Sequence, residues 1–298
     1  MANDLKKKVD EQSVYPLFPL HKHTYTKTGG VADVFVKPKH IDDLQTVIYY
    51  AKEHALPLTI LGNGSNVLVR DKGLRGIVIA LEYFDQIHVD GTTITAGSGA
   101  KIIDVSRTAL DHHLTGLEFA CGIPGSVGGA LVMNAGAYGG ETSTVLRKAT
   151  VLSHDGDLIT LGEDDFHFGY RKSIFTEKDY IILEAVFELK PGRFEEIKEA
   201  MDTFTALRES KQPLEYPSCG SVFKRPAGYF AGKLIQDSGL QGTRIGGAEI
   251  SKKHAGFIVN VDGASSTDYL NLIRYAQDRV REKFGVELET EVKIIGED

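Results

Sequence analysis

The sequence predicts an α+β fold, on three observations. Short apolar strands alternate with turn signals, two Asp-Gly dipeptides sit between strand pairs, and amphipathic helices fall among them without the regular strand-helix-strand alternation of a doubly wound sheet. At 298 residues the chain exceeds the usual size of one hydrophobic core, so roughly two or three domains are expected.

After a polar leader, Ile41, Leu44, Val47, Ile48 and Ala51 recur at helical spacing, and Leu58 to Leu61 reads as a strand. The turn Gly62-Asn63-Gly64-Ser65-Asn66 follows, with strand character resuming at Val67 to Val69 and Ile77 to Leu81. Asp90-Gly91 then joins Ile87 to Val89 with Thr93 to Thr95 as a hairpin of type I′ chemistry, and Asp155-Gly156 joins a second pair. Between them lie an amphipathic helix carrying Ile102, Ile103, Val105, Ala109 and Leu110, and later a long apolar strand from Tyr180 to Leu189. Pro191-Gly192 breaks the chain before a helix marked by Phe194, Ile197, Met201 and Phe204. The last region carries a helix near 230–238 and a strand at 256–259. A helix opened by the capping pair Ser265 and Asp268 follows, then a final strand alternating Val286, Leu288, Val292 and Ile294 with polar residues. The expected domains are 1–72, 73–200 and 201–298.

A net charge of -7 and a pI near 5.8 disfavour a nucleic-acid partner, whose phosphates need clustered Lys and Arg. An anionic ligand must instead be held by local devices: backbone nests, helix N-termini and single placed cations. Cys121 and Cys219 form no C-x-x-C pair, so neither a disulfide scaffold nor a structural zinc site is expected. No run approaches the ~20 apolar residues of a membrane span, and no apolar leader segment opens the chain, so a cytoplasmic protein is expected.

The densest chemical signal is Cys121 to Glu141, with seven glycines in 21 residues. Chain so poor in side chains lets backbone N–H groups converge on phosphate oxygens, although a tightly packed turn gives the same composition. The spacing differs from G-x-G-x-x-G, which disfavours a nicotinamide-type Rossmann site. Gly62 to Asn66 and Ala96 to Ala100 are further glycine turns. Each alone is compatible with an ordinary turn, and together one extended pyrophosphate cofactor explains all three more economically. The loop from Pro217 to Pro226 sets Ser221 beside Lys224 and Arg225, a combination suited to an anionic substrate. Ser221 lacks the G-x-S-x-G elbow of a hydrolase nucleophile. Arg171 can grip a carboxylate through two parallel hydrogen bonds, whereas Glu291 alone reads as a solvated residue.

Six ordered blocks carry a resemblance. They are Tyr25-Thr26-Lys27-Thr28-Gly29-Gly30 with Ala32-Asp33, Leu61 to Asn66, Gly122 to Gly129 with Asn134 to Tyr138, Tyr170-Arg171, Gly220 to Lys224, and Ala231 to Gln236. From about Tyr25 to Gly296 the chain resembles the UDP-N-acetylenolpyruvoylglucosamine reductase (MurB) family. The stretch after Ser221 is short and Arg225 stands where the first structural class tends to have Asn, so the resemblance is to the second class.

The resemblance implies a two-part FAD-binding module of the vanillyl-alcohol-oxidase-like (PCMH) type and a C-terminal α+β domain for the UDP-sugar. It implies non-covalent FAD, NADPH as hydride donor, UDP-N-acetylglucosamine enolpyruvate as substrate, and a monomer with no nucleic-acid or membrane partner. The implied cofactor set is Gly62, Asn63, Gly64, Ser65, Asn66, Gly97, Gly122, Ile123, Pro124, Gly125, Ser126, Gly128, Gly129, Asn134, Gly136 and Ala137. Substrate contacts fall to Tyr170, Lys211, Lys224, Arg225 and Gln236, with no metal. Arg171 and Glu291 match the family's enolate-stabilising pair, and Ser221 its proton donor. A carboxylate beside an enolate must be protonated or act through an intervening hydrogen bond. The alternatives are another FAD-linked oxidoreductase on the same clasp and a flavin-binding module without catalysis.

Overall fold

The computed structural model describes residues 1–297 and divides into two compact units. The first comprises 1–16, 34–63 and 76–208, and the second 17–33, 64–75 and 209–298. The units are interleaved in sequence, unlike the consecutive domains expected at 1–72, 73–200 and 201–298. The strand Leu74–Ala80, expected to open the second domain, aligns in parallel with Leu58–Leu61, pairing Ile77 with Leu58. The helix Phe194–Lys211 runs through the expected boundary at 200.

In the first unit, the helix Ile41–Glu53 forms where the apolar spacing predicts it and buries Leu44, Val47, Ile48, Tyr50 and Ala51. These side chains pack with Leu5, Val34, Val36, Ile77 and Ile79, all at most 2% exposed except Tyr50 and Ala51. A second core lies against a five-stranded antiparallel sheet in the order Leu158–Gly162, Leu146–Leu152, Ile181–Glu188, Thr93–Gly97, Ile87–Asp90. The helix Ile102–Asp111 and the short helix Val127–Val132 contribute Ile102, Val105, Val127 and Leu131 to that core. The latter helix lies inside the glycine-rich stretch Cys121 to Glu141.

Both Asp-Gly hairpins form, with one correction. Asp90 pairs with Thr93, leaving Gly91 and Thr92 as the loop, and only Gly91 has positive φ (58°). A type I′ turn needs the left-handed region at both central residues, so the type I′ expectation fails.

The second unit holds a four-stranded antiparallel sheet in the order Ser218–Ser221, Phe257–Asn260, Ala248–Ile250, Arg244–Ile245. The helix Ser266–Phe284 covers it, started by the predicted reciprocal cap of Ser265 and Asp268 and stopped by Gly285 at φ 66°. Asp71 reinforces the start by accepting the Ser266 N–H at 2.8 Å and the Thr267 N–H at 2.9 Å. The expected final strand is shorter than its alternation suggests: only Lys293–Ile295 forms a ladder, in parallel with Val67–Val69. Leu288 and Val292 are still buried, so the side-chain pattern survives where the pairing does not.

Candidate functional site

In the first unit the predicted glycine turns come together through backbone hydrogen bonds. Ala100 O accepts from the Val127 N–H at 2.8 Å, Ser98 O from Gly128 at 2.8 Å, and Gly125 O from Ile102 at 3.0 Å. Gly62 lies close by, since a Cβ placed there would approach Ser126 Oγ to 2.9 Å. Ser126 Oγ in turn accepts the Gly129 N–H at 3.3 Å and caps Val127–Val132.

The turns differ in what they offer a ligand. Gly97, Ser98, Gly99 and Ala100 direct their N–H groups to Gln86, Leu183, Phe84 and Gly97 carbonyls. Gly97 is therefore a packing glycine, its absent Cβ making room for Phe84 O, rather than a backbone donor to a cofactor. Ile123, Gly125, Gly128 and Gly129 also donate within the protein. By contrast, the N–H groups of Asn63, Gly64 and Ser65 have no acceptor among the described residues, and Gly64 turns the chain through φ 69°. Successive open amides around a left-handed residue form an anion-binding nest. The Ser98 hydroxyl adds a buried polar atom without a partner. An open nest fits a pyrophosphate-containing cofactor such as FAD.

Asn134, expected to contact the cofactor, also has a bracing task. Its Nδ2 donates to Gly169 O at 3.3 Å and its Oδ1 accepts the Ser143 N–H at 3.0 Å, so this buried side chain braces the loop that carries Arg171. Gly169 and Lys172 close that loop by mutual backbone bonds, leaving Tyr170 and Arg171 at its tip. Arg171 takes φ 57°, a conformation uncommon for any residue but glycine, and its guanidinium sits 5.1 Å from the Tyr170 ring centroid. Gly136 and Ala137 form a two-residue ladder with Gly140–Glu141, and Pro124 is half-buried in the glycine stretch.

Arg208 escaped the sequence reading because no motif marks it. Its side chain passes 2.8 Å from the position of a Cβ on Gly122, and it makes no ion pair among the described residues. Burial lowers its pKa, and the same effect raises those of neighbouring Tyr138 and Cys121, leaving both neutral. A half-buried cation without a counter-charge beside a glycine turn is suited to an anionic ligand.

In the second unit the fold joins Ser221 and Glu291. Ser221 ends the strand Ser218–Ser221, and the next residue, Val222, accepts the Glu291 N–H at 2.7 Å. Phe223 bridges Thr290, and the Lys224 N–H donates to Glu289 O at 2.9 Å. Lys224 Nζ is paired with Glu289 at 2.9 Å on the surface, a contact worth about 0–1 kcal/mol and easily exchanged for a phosphate. Arg225 lies 4.0 Å from the Phe230 ring centroid, and Gln236 and Lys211 are exposed. Arg171 and Tyr170 belong to the first unit, whereas Ser221 and Glu291 belong to the second.

Residues 32–162 match the FAD binding domain family, and residues 212–295 match the C-terminal domain of UDP-N-acetylenolpyruvoylglucosamine reductase. The chain is 65% identical over 279 residues to UDP-N-acetylenolpyruvoylglucosamine reductase 2 of Bacillus cereus, covering 94% of this chain and 92% of that one. The chain belongs to the UDP-N-acetylenolpyruvoylglucosamine reductase family. The reductase of Exiguobacterium sibiricum is 61% identical over 280 residues, again covering 94% and 92%. The crystal structure of the reductase (MurB) from Thermus caldophilus superposes with a TM-score of 0.82 at 34% identity, covering 95% of this chain and 98% of that one. A wild-type Phl p 4.0202 glucose dehydrogenase shares the fold alone, with a TM-score of 0.52 at 16% identity over 64% of this chain and 44% of that one. The FAD-binding match and the C-terminal match together cover the glycine turns, Ser221 and Glu291.

Proposed function

We propose that this chain reduces UDP-N-acetylenolpyruvoylglucosamine to UDP-N-acetylmuramate with NADPH, in peptidoglycan precursor synthesis, as a cytoplasmic monomer of the second structural class. The observation that carries the reading is the backbone bond from the Glu291 N–H to Val222 O, which sets Glu291 beside the strand that ends at Ser221, inside the family's C-terminal domain. Asn63 to Ser65, Ser98 and the Gly122 to Gly129 turn would hold FAD, with Arg208 as a local cation. When bound there, FAD would supply the hydride-transfer chemistry between NADPH and the enolpyruvyl methylene carbon.

The chain's own residues handle the charge this creates. Hydride addition pushes electrons onto the substrate carboxylate as an enolate, which Arg171 stabilises by charge-assisted hydrogen bonds together with Glu291. Ser221 Oγ gives its proton to the adjacent carbon, completing the lactyl ether. Serine is a weak acid in water, but an enolate is a strong base and a positioned hydroxyl needs no large driving force. Lys211, Lys224, Arg225, Gln236 and Tyr170 contact the UDP-sugar, the exposed cations meeting its diphosphate. In functional terms residues 32–162 serve the flavin and 212–295 the sugar nucleotide.

Ser221→Ala tests the assignment. Bleaching of the flavin by NADPH should stay within about twofold, while substrate-driven reoxidation falls by roughly 10²–10⁴. Equal loss in both half-reactions would remove Ser221 as the proton donor.

A further inference from the structure

We propose that Asn66 is a positioning residue that sets the backbone at Glu291, an inference that rests on the reading of Glu291 as part of the reductase site. Asn66 Nδ2 donates to Glu291 O at 3.2 Å, and Asn66 O accepts the Lys293 N–H at 3.0 Å. On the opposite side the Glu291 N–H donates to Val222 O at 2.7 Å. The peptide groups of residue 291 are thus held at the N–H by the segment following Ser221 and at the carbonyl by Asn66.

This bracket matters because Glu291 lies outside regular structure. The ladder with Val67–Val69 begins only at Lys293, and the preceding chain meets its neighbour at the single bridge between Phe223 and Thr290. A glutamate carboxyl sits several bonds from its Cα, so a small rotation of its peptide swings the carboxyl by ångströms. A side chain with a hydrogen to donate is required for the contact at residue 66, and an ionised aspartate has none to give a carbonyl. Asn66 also closes the turn whose Asn63, Gly64 and Ser65 amides are open. A phosphate-bearing ligand on that turn and the placement of Glu291 are therefore mechanically linked through one residue.

The test is a double-mutant cycle on flavin-saturated holoenzyme, with Asn66→Ala and Glu291→Gln singly and combined. The rate of reoxidation by UDP-N-acetylenolpyruvoylglucosamine is divided by the rate of reduction by NADPH, which removes any general effect on the flavin. Asn66→Ala should lower this ratio about tenfold when Glu291 is present, the rate equivalent of one hydrogen bond, and less than about twofold when residue 291 is Gln. Asn66→Ser, which keeps a donor, should recover part of the loss and serves if the Ala variant does not fold. Equal losses in both backgrounds would overturn the proposal, because Asn66 would then act independently of Glu291. If Glu291→Gln alone leaves reoxidation intact, the catalytic reading of Glu291 fails, and amide hydrogen exchange decides the positioning claim. Exchange at Glu291 and Lys293 at least about tenfold faster in Asn66→Ala, with Phe257–Asn260 unchanged, upholds it. Unaltered protection at both amides overturns it.

Discussion

Ser98→Ala exposes the difference between a packing hydroxyl and a cofactor contact. Ser98 is 4% exposed, its carbonyl accepts the Gly128 N–H at 2.8 Å, and its own Oγ has no partner among the described residues. A buried hydroxyl without a hydrogen bond costs about 1–3 kcal/mol. In the flavin-free protein, alanine removes that cost, so the variant apoprotein should unfold at higher urea than the parent. If FAD supplies the missing partner, the parent recovers the same energy on binding and the variant cannot. The FAD dissociation constant should then rise by about 5- to 160-fold, the equivalent of that energy range. Titrating apoprotein with FAD and following flavin fluorescence gives the constant, and urea melts of both proteins give the apo stabilities. A more stable variant whose FAD affinity stays within about twofold of the parent would refute the contact.

Two further outcomes follow from the second unit. Burial raises the Asp71 pKa, but hydrogen bonds from Thr267 and Ser266 outweigh it and leave the carboxyl below its usual value. A depressed carboxylate contributes stability above its unfolded pKa near 3.9, lost as pH falls through the lower folded value. Asp71→Asn should therefore lower the urea midpoint at pH 7, and the gap from the parent should close on acidification below about pH 4; a gap unchanged by acid would contradict the assignment. Cys219, 2% exposed, has its thiol pushed up to about 12 by burial. At pH 8 its thiolate is then roughly one part in 10⁴, so thiol reagents should label it only after unfolding; rapid labelling of the native protein would contradict its burial.

Helices with a continuous apolar stripe were legible in the sequence. Ile41, Leu44, Val47, Ile48 and Ala51 define the face that Ile41–Glu53 buries, and Ser265 with Asp268 marks the start of Ser266–Phe284. Strands near the N-terminus were not. Val14–Pro19 carries two prolines, which suit the edge position it occupies but break the periodic signal. Val31–Val36 carries Asp33 within its apolar run, which breaks the strand signal. The alternation from Val286 to Ile294 predicted burial correctly and pairing wrongly, because Lys224 and Val222 take single bonds there instead of a ladder. The interleaving of the two units was hidden because the chain changes unit at places such as 63/64 and 75/76 that no linker composition marks.

The candidate site was legible where motifs are dense. The glycine turns were found, yet which of them keeps open amides depends on partners such as Gln86 and Leu183 that only folding supplies. Asn134 and Asn66 read as cofactor residues, whereas their side chains hold the backbone at Gly169 and Glu291. Arg208 carries no local signature, and its interest lies in an uncompensated charge next to Gly122.

The central claim is that Ser221 and Glu291, held on neighbouring backbone by the bond from the Glu291 N–H to Val222 O, serve the reduction of an enolpyruvyl ether by reduced flavin. Anaerobic spectroscopy of the purified yellow protein addresses it most directly. NADPH should bleach the flavin, and UDP-N-acetylenolpyruvoylglucosamine, added without oxygen, should return the full oxidised spectrum and yield UDP-N-acetylmuramate. A flavin that NADPH bleaches and that stays bleached in the presence of this substrate would contradict the claim.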